Sequence, residues 1–170
     1  MKTRWLSQNR GILLFTLLGV AIVLTLSQTG TRGNPNPRPV AYPGTAGVPQ
    51  VVLKENQLSQ YVTTGRINGE KVEFLVDTGA ADIAMPYRVA QRLGLQLNPG
   101  GISKTGNGNV QSWSARLDRV DIGGLVAEQV SATVLPHMVG DQVLLGMAYL
   151  RHMEMVLAGG RMTLRPYLTP

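Results

Sequence analysis

The stretch FLVDTGAADIAMP, from Phe74 to Pro86, sets one carboxylate directly behind an apolar run. A carboxylate delivered from the end of a buried strand is held at a defined point in a partly desolvated cleft. There it can take a proton from water or give one to a leaving group. The residues after Asp77 suit that task. Thr78 offers a small hydroxyl that can lock the loop, and Gly79 lets the backbone turn sharply and lie close to other chain. Asp-Thr-Gly alone also fits a surface turn, because Asp and Gly recur at strand-to-turn junctions. The apolar strand ahead of it and a second signature favour the chemical reading. That signature is Val143-Leu144-Leu145-Gly146-Met147, an apolar run ending in Gly and leading into the helix-like AYLRHM. Gly146 stands 69 positions after Asp77.

Other chemistries fit less well. Cysteine is absent, so there is no disulfide and no thiol nucleophile. That absence suits an oxidising compartment without fixing one. His137 and His152 are the only histidines, and no H-x-x-H, H-E-x-x-H or cysteine cluster accompanies them. No G-x-S-x-G surrounds a serine. Gly106-Asn107-Gly108 lacks the lysine and the strand–loop–helix setting of a phosphate loop. No metal or cofactor is expected. Asp82 and Asp141 are the carboxylates that could approach Asp77. Asp82 lies past the turn, where substrate contact or solvent exposure suits it better than catalysis, and Asp141 falls in a loop.

The elements that must position these residues are short. Tyr61–Ile67 and Lys71–Val76 are strands joined at Asn68-Gly69, a strong hairpin turn. In the second, Val72, Phe74 and Val76 point one way and Lys71, Glu73 and Leu75 the other. Ile83–Met85 is a short apolar strand. Pro86 opens a structural helix that Gly94 stops, with Val89 and Leu93 on its apolar face. Gly100–Trp113 reads as two polar strands about a flexible turn, with Thr105, Gly106, Asn107 and Gly108 at its tip. Trp113 reads as a core or partner contact. Ser114–Ile122 alternates with a change of phase near Asp118-Arg119. Leu125–Leu135 puts Val130, Ala132 and Val134 on one face, and Glu154–Leu157 and Arg161–Leu164 close as a hairpin about Gly159-Gly160. Many short strands, glycine turns and one or two short helices predict a mainly β fold, a small closed β-barrel.

Charge separates the N-terminal part from the rest. Residues 1–49 carry Lys2, Arg4, Arg10, Arg32 and Arg38 and no acid, a charge of +5. Residues 50–170 carry eleven bases and ten acids, a charge of +1. The high pI therefore belongs to the N-terminal segment, and no basic face is expected to bind nucleic acid. Residues 11–31 are uncharged, with an apolar centre from Ile12 to Leu26. As a helix they would reach roughly 30 Å, about one hydrocarbon core. Basic residues 1–10 precede them. The positive-inside rule then keeps the N-terminus in the cytoplasm and sends the remainder to the periplasm or exterior. A transmembrane anchor over 11–29 is the leading reading, since no Ala-x-Ala site follows Leu26; a cleaved signal peptide is the competing one. Residues 30–50 hold five prolines and four glycines and read as a linker. The domain is expected from Val51 to Pro170.

Taken together, the two signatures resemble those of the retropepsin-like aspartic proteases, and most closely of bacterial membrane-anchored members. The likeness runs from about Gln57 to Pro166. It identifies Asp77, Thr78, Gly79 and Ala80 with the family's active-site loop. Leu144-Leu145-Gly146 matches the apolar strand that crosses behind that loop and leads into a short helix. It also implies a flap, a mobile hairpin closing over bound peptide to exclude water, which is assigned to the Thr105–Gly108 turn. Retroviral members usually carry an acidic residue where Ala81 stands, so this chain departs from them there.

The chemistry implied by that likeness needs two carboxylates sharing one proton, because like charges so close cannot both ionise. This chain has one Asp-Thr-Gly, and 120 residues cannot hold two such lobes. A homodimer supplies the second Asp77 across a two-fold axis. The expectation is a membrane-tethered aspartic endopeptidase acting on peptide or protein substrates. The alternative is a catalytically silent barrel of the same fold, used as a tethered binding or assembly module.

Overall fold

Asn68 and Gly69 both have positive φ, 50° and 89°, the pairing that a two-residue hairpin turn of right-handed twist demands. In the computed structural model, which describes residues 33–105 and 108–167, this turn joins the first barrel strands. They are β3 (Val62–Ile67) and β4 (Glu70–Val76). Ahead of them run β1 (Tyr42–Pro43) and β2 (Pro49–Lys54). After them come β5 (Ile83–Pro86), helix α1 (Tyr87–Arg92), β6 (Asn98–Thr105), β7 (Gly108–Ile122) and β8 (Leu125–Leu135). The chain ends through β9 (Val143–Leu145), helix α2 (Met147–Leu150), β10 (Met153–Ala158) and β11 (Arg161–Pro166). The charged N-terminal residues 1–10 and the apolar segment 11–29 lie outside the described residues. Among the described residues no helix is long and apolar enough to cross a membrane.

Strands β3, β4, β9, β5, β8 and β7 are neighbours in that order, and β3 also pairs with β7. The six therefore close into a barrel, as the sequence predicted, with β6 hanging on its rim. Closure explains the change of phase in β7. Ala115 and Leu117 point inward, then Asp118 and Arg119 are both exposed before Val120 and Ile122 point inward again. At the break, Asn68 N–H donates to the Arg119 carbonyl (2.9 Å) and Arg119 N–H donates to Asn68 Oδ1 (3.0 Å). The hairpin turn thus takes hydrogen bonds that one sheet neighbour gives up and seals the seam. Gly65 on β3 is needed at the same seam. A Cβ there would lie 2.6 Å from Ile122 Cδ1 and 2.7 Å from the Asp121 carbonyl. Phe74, Ile83, Met85, Leu117, Leu145 and Tyr149 fill the interior, with Val51 and Leu53 of β2 and Leu164 of β11 completing it.

A second sheet, in the order β1-β2-β11-β10, packs beside the barrel. Here the structure departs from the expected domain start at Val51. The backbone from Gly33 already lies on the domain, despite its prolines, because Asn36 anchors it. Asn36 forms a parallel bridge with Thr63. Its Nδ2 donates to the carbonyls of Lys54 (2.9 Å) and Val62 (2.7 Å), and its Oδ1 accepts from Lys54 N–H (2.8 Å). Asn36 is buried between β2 of one sheet and β3 of the other, so it replaces ladder bonds that neither strand could otherwise make. Asn36→Ala should lower unfolding free energy by about 1–3 kcal/mol, because partners are left unsatisfied. Chemical denaturation checks this, with the less buried Asn34→Ala expected to cost less.

Candidate active site

Strand β4 runs out of the barrel interior at Val76, and Asp77 is the next residue. The loop 77–82 then returns into β5. Between these two strands lies β9, parallel to β4 (Leu75 opposite Leu144, Val76 opposite Leu145) and antiparallel to β5 (Ala84 opposite Leu144). A strand from late in the chain thus divides the two arms of the loop and holds both. Asp77 N–H donates to the Leu145 carbonyl (3.1 Å), which extends the β4–β9 pairing to the carboxylate residue itself. Within the loop, Gly79 N–H donates to Asp77 Oδ1 (2.8 Å) and Ala80 N–H to the Asp77 carbonyl (3.2 Å). The side chain is therefore oriented by the backbone of its own turn, and Oδ2 stays available.

Gly146 follows β9 and precedes α2. The first N–H groups of a helix have no partner within it; here the loop supplies them. Met147 N–H donates to the Ala80 carbonyl and Ala148 N–H to the Ala81 carbonyl, both at 2.8 Å. Such close approach of two backbones leaves no room for a side chain. A Cβ at Gly146 would lie 2.0 Å from the Asp82 carbonyl and 2.6 Å from that of Ala80. The φ of Gly146 is −91°, so space and not backbone conformation dictates glycine. Leu145 is fully buried behind the loop, and Leu144 is half-buried on the opposite face.

The other candidates separate clearly. Asp77 and Ala80 are half-buried, while Thr78 and Gly79 are exposed at the tip. Asp82 is half-buried and accepts a hydrogen bond from Thr133 Oγ1 (2.9 Å). Thr133 was not singled out from sequence; its signal is a hydroxyl between the buried Ala132 and Val134. Asp141 lies in its loop and pairs with Arg88 at the surface (2.8 Å). His137 and His152 are exposed, and among the described residues no cluster of His, Cys, Asp or Glu could hold a metal ion. The β6–β7 hairpin pairs as far as Thr105 opposite Gly108, while Gly106 and Asn107 lie outside the described residues. Its base is pinned where the register shifts between Pro99 and Ile102. Gln111 Nε2 donates to the Gly100 carbonyl (2.7 Å) and Ser112 Oγ to that of Gly101 (2.8 Å).

One row of side chains crosses the sheet beside the carboxylate. Val62, Leu75, Leu144, Ala84 and Thr133 are successive partners on β3, β4, β9, β5 and β8. By strand alternation Asp77 emerges on the same face as Leu75. Leu75, Val62 and Ala84 are buried without joining the barrel's core cluster. The row is a mostly apolar strip outside that cluster, and it ends at Thr133, the partner of Asp82.

Residues 63–152, more than half of the chain, match the family described as "gag-polyprotein putative aspartyl protease". The chain belongs to the retropepsin-like aspartic proteases. The structure of such a protease from Rickettsia conorii superposes with a TM-score of 0.61 at 25% identity, covering 76% of this chain and 96% of that one. An uncharacterized protein from the cobV 5′ region of a Sinorhizobium species is 34% identical over 115 residues, which are 65% of this chain and 48% of that protein. A second uncharacterized protein, from Rickettsia prowazekii, is 30% identical over 86 residues, 49% of this chain and 37% of the other. The retropepsin-like chain therefore spans less than half the length of both these relatives. Gly146→Ala should destabilise it by about 1–3 kcal/mol, as overpacking against backbone does, and should displace the Asp77 loop. Thermal melting and amide exchange at Gly79 and Ala80 would read both effects; unchanged exchange there would separate the loop from the β9–α2 backbone.

Proposed function

We propose that the chain is an aspartic endopeptidase whose active form is a homodimer with Asp77 contributed by each protomer. The observation that carries this is the state of Asp77. One oxygen of its carboxylate is fixed by Gly79 N–H, and its loop is held by backbone bonds from β9 and α2. Thr78 and Gly79 stand exposed beside it. A single preorganised carboxylate gives a base with no matching acid, whereas two across a two-fold axis share one proton. The pair orients a water, removes its proton as it attacks the scissile carbonyl, and returns a proton to the departing amine. Among the described residues the Thr78 hydroxyl has no hydrogen-bond partner within the protomer, which leaves it free to bond across the axis.

The apolar strip of Leu75, Leu144 and Ala84 suits a substrate with an apolar side chain next to the scissile bond. The β6–β7 hairpin is the segment that would fold over it. The uncharged segment 11–29, with Arg10 ahead of it, would tether the enzyme to a membrane with the barrel facing the periplasm or exterior. The test is Asp77→Asn, which keeps an oxygen for Gly79 N–H but removes the ionisable group. Cleavage of a peptide library should fall by at least about 10²–10⁴-fold, with circular dichroism and melting unchanged. Cleavage retained by a preparation free of wild type and of deamidation would exclude Asp77 from catalysis.

A further inference from the structure

The segment ahead of the domain has less free length than its composition implies. Fully extended, residues 30–50 would span about 70 Å and let the barrel range far from a membrane. Instead the chain is fixed to the barrel from Asn34 onward. Asn34 Nδ2 donates to Thr64 Oγ1 and to Glu73 Oε2, both at 3.2 Å, and its Oδ1 accepts from Asn36 N–H (2.8 Å). The Asn36 carbonyl accepts from Thr64 N–H (3.1 Å). Further along, Ala41 N–H donates to the Gly123 carbonyl (2.7 Å), in the turn between β7 and β8. A Cβ at Gly123 would lie 2.7 Å from the Pro39 carbonyl. Residues 34–41 are therefore a strap laid on the barrel, not a spacer.

The strap starts close to the site. Thr64 and Glu73 are partners on β3 and β4, and by alternation Glu73 shares a face with Leu75 and Asp77. Asp77 is four positions after Glu73, about 13 Å of extended chain. The Glu73 carboxylate also accepts from Gln142 Nε2 (3.2 Å), and Gln142 immediately precedes β9, the strand that holds the Asp77 loop. Between the apolar segment 11–29 and Asn34 stand only residues 30–33, about 18 Å of chain at full stretch. These lengths keep Asp77 within about 40 Å of the end of the apolar segment.

We propose that the substrates of this enzyme are polypeptide segments at the membrane surface, the stretches just outside the bilayer in other membrane-bound chains. This deepens the peptidase reading and rests on it and on the anchor over 11–29. The docked strap confines the carboxylate to a shallow layer over the bilayer. Within that layer a membrane-bound segment meets the site at high effective concentration. A bond held farther out in such a chain is beyond the reach of the tether, and its effective concentration falls to near zero.

The test uses the full chain in vesicles of phosphatidylcholine and phosphatidylglycerol. The probe is a library peptide that the free enzyme cleaves, joined to a lipid through a proline spacer. Spacers of about 8 and about 24 prolines set the scissile bond roughly 25 Å and 75 Å from the bilayer. The nearer bond should be cut at least about tenfold faster. A Gly-Ser insertion of about twenty residues between Thr31 and Arg32 should bring the two rates within about twofold, with cleavage of the free peptide unchanged. Equal rates without the insertion would overturn the proposal and leave the peptidase intact. No cleavage of any probe, the free peptide included, would remove the peptidase reading and the substrate class with it. A soluble species lacking residues 11–29 would remove the anchor. Position is also read without activity, since native cysteine is absent. Leu58 N–H donates to Asn56 Oδ1 (2.8 Å), and Gly33 lies against Asn56, so a fluorophore on Leu58→Cys reports on the start of the strap. Energy transfer to a labelled lipid should be strong and should drop on insertion. Weak transfer that the insertion leaves unchanged would show a domain standing free of the membrane and would overturn the proposal.

Discussion

Two backbones meet at Gly146 with no side chain between them, and the geometry around Asp77 depends on that contact. Strand β9 enters between β4 and β5, and the first N–H groups of α2 take the loop carbonyls of Ala80 and Ala81. Loops usually carry function at the cost of mobility. This one is bonded at its start, through Asp77 N–H, and at its far side, through Ala80 and Ala81. The carboxylate is held to a fixed direction by the fold itself, the kind of preorganisation that the proposed chemistry requires.

What holds α2 in turn is the core. Ala148, Tyr149 and Leu150 are buried, and the Tyr149 hydroxyl donates to the Leu125 carbonyl (2.8 Å) at the start of β8. Burial, reinforced by the nearby Asp121 charge, pushes the Tyr149 phenol far above its usual range. Raised in this way, the phenol keeps its proton for the bond to the Leu125 carbonyl. A four-residue helix has little stability of its own; its position is inherited from Tyr149 and from the loop it clasps. The Asp77 loop, β9 and α2 thus form one continuous path from the carboxylate to the core.

Much of this was legible in the sequence because it was written in local chemistry. Asn68-Gly69, the alternation in β8 and the apolar run before Asp77 each force a local structure. Gly146 was legible as part of a pattern, although its reason, a contact with the Asp82 carbonyl, is a long-range fact. The phase change at Asp118-Arg119 was visible, but its cause lay 51 positions away in the Asn68 side chain. Asn36 was hidden by composition: prolines and glycines around it signal a spacer, and only the gap between β2 and β3 gives its amide three partners. Thr133 was hidden for the same reason, since its carboxylate partner reaches it only once β5 pairs with β8.

The central claim is that one active site contains two Asp77 carboxylates from two chains. Its most direct measurement is co-expression of wild type with Asp77→Asn under different tags, at fixed total chain and varied proportion. Random pairing gives active sites in proportion to the square of the wild-type fraction, so an equal mixture should retain about one quarter of full activity. Retention of about one half, linear in wild-type fraction, would show that each chain works alone.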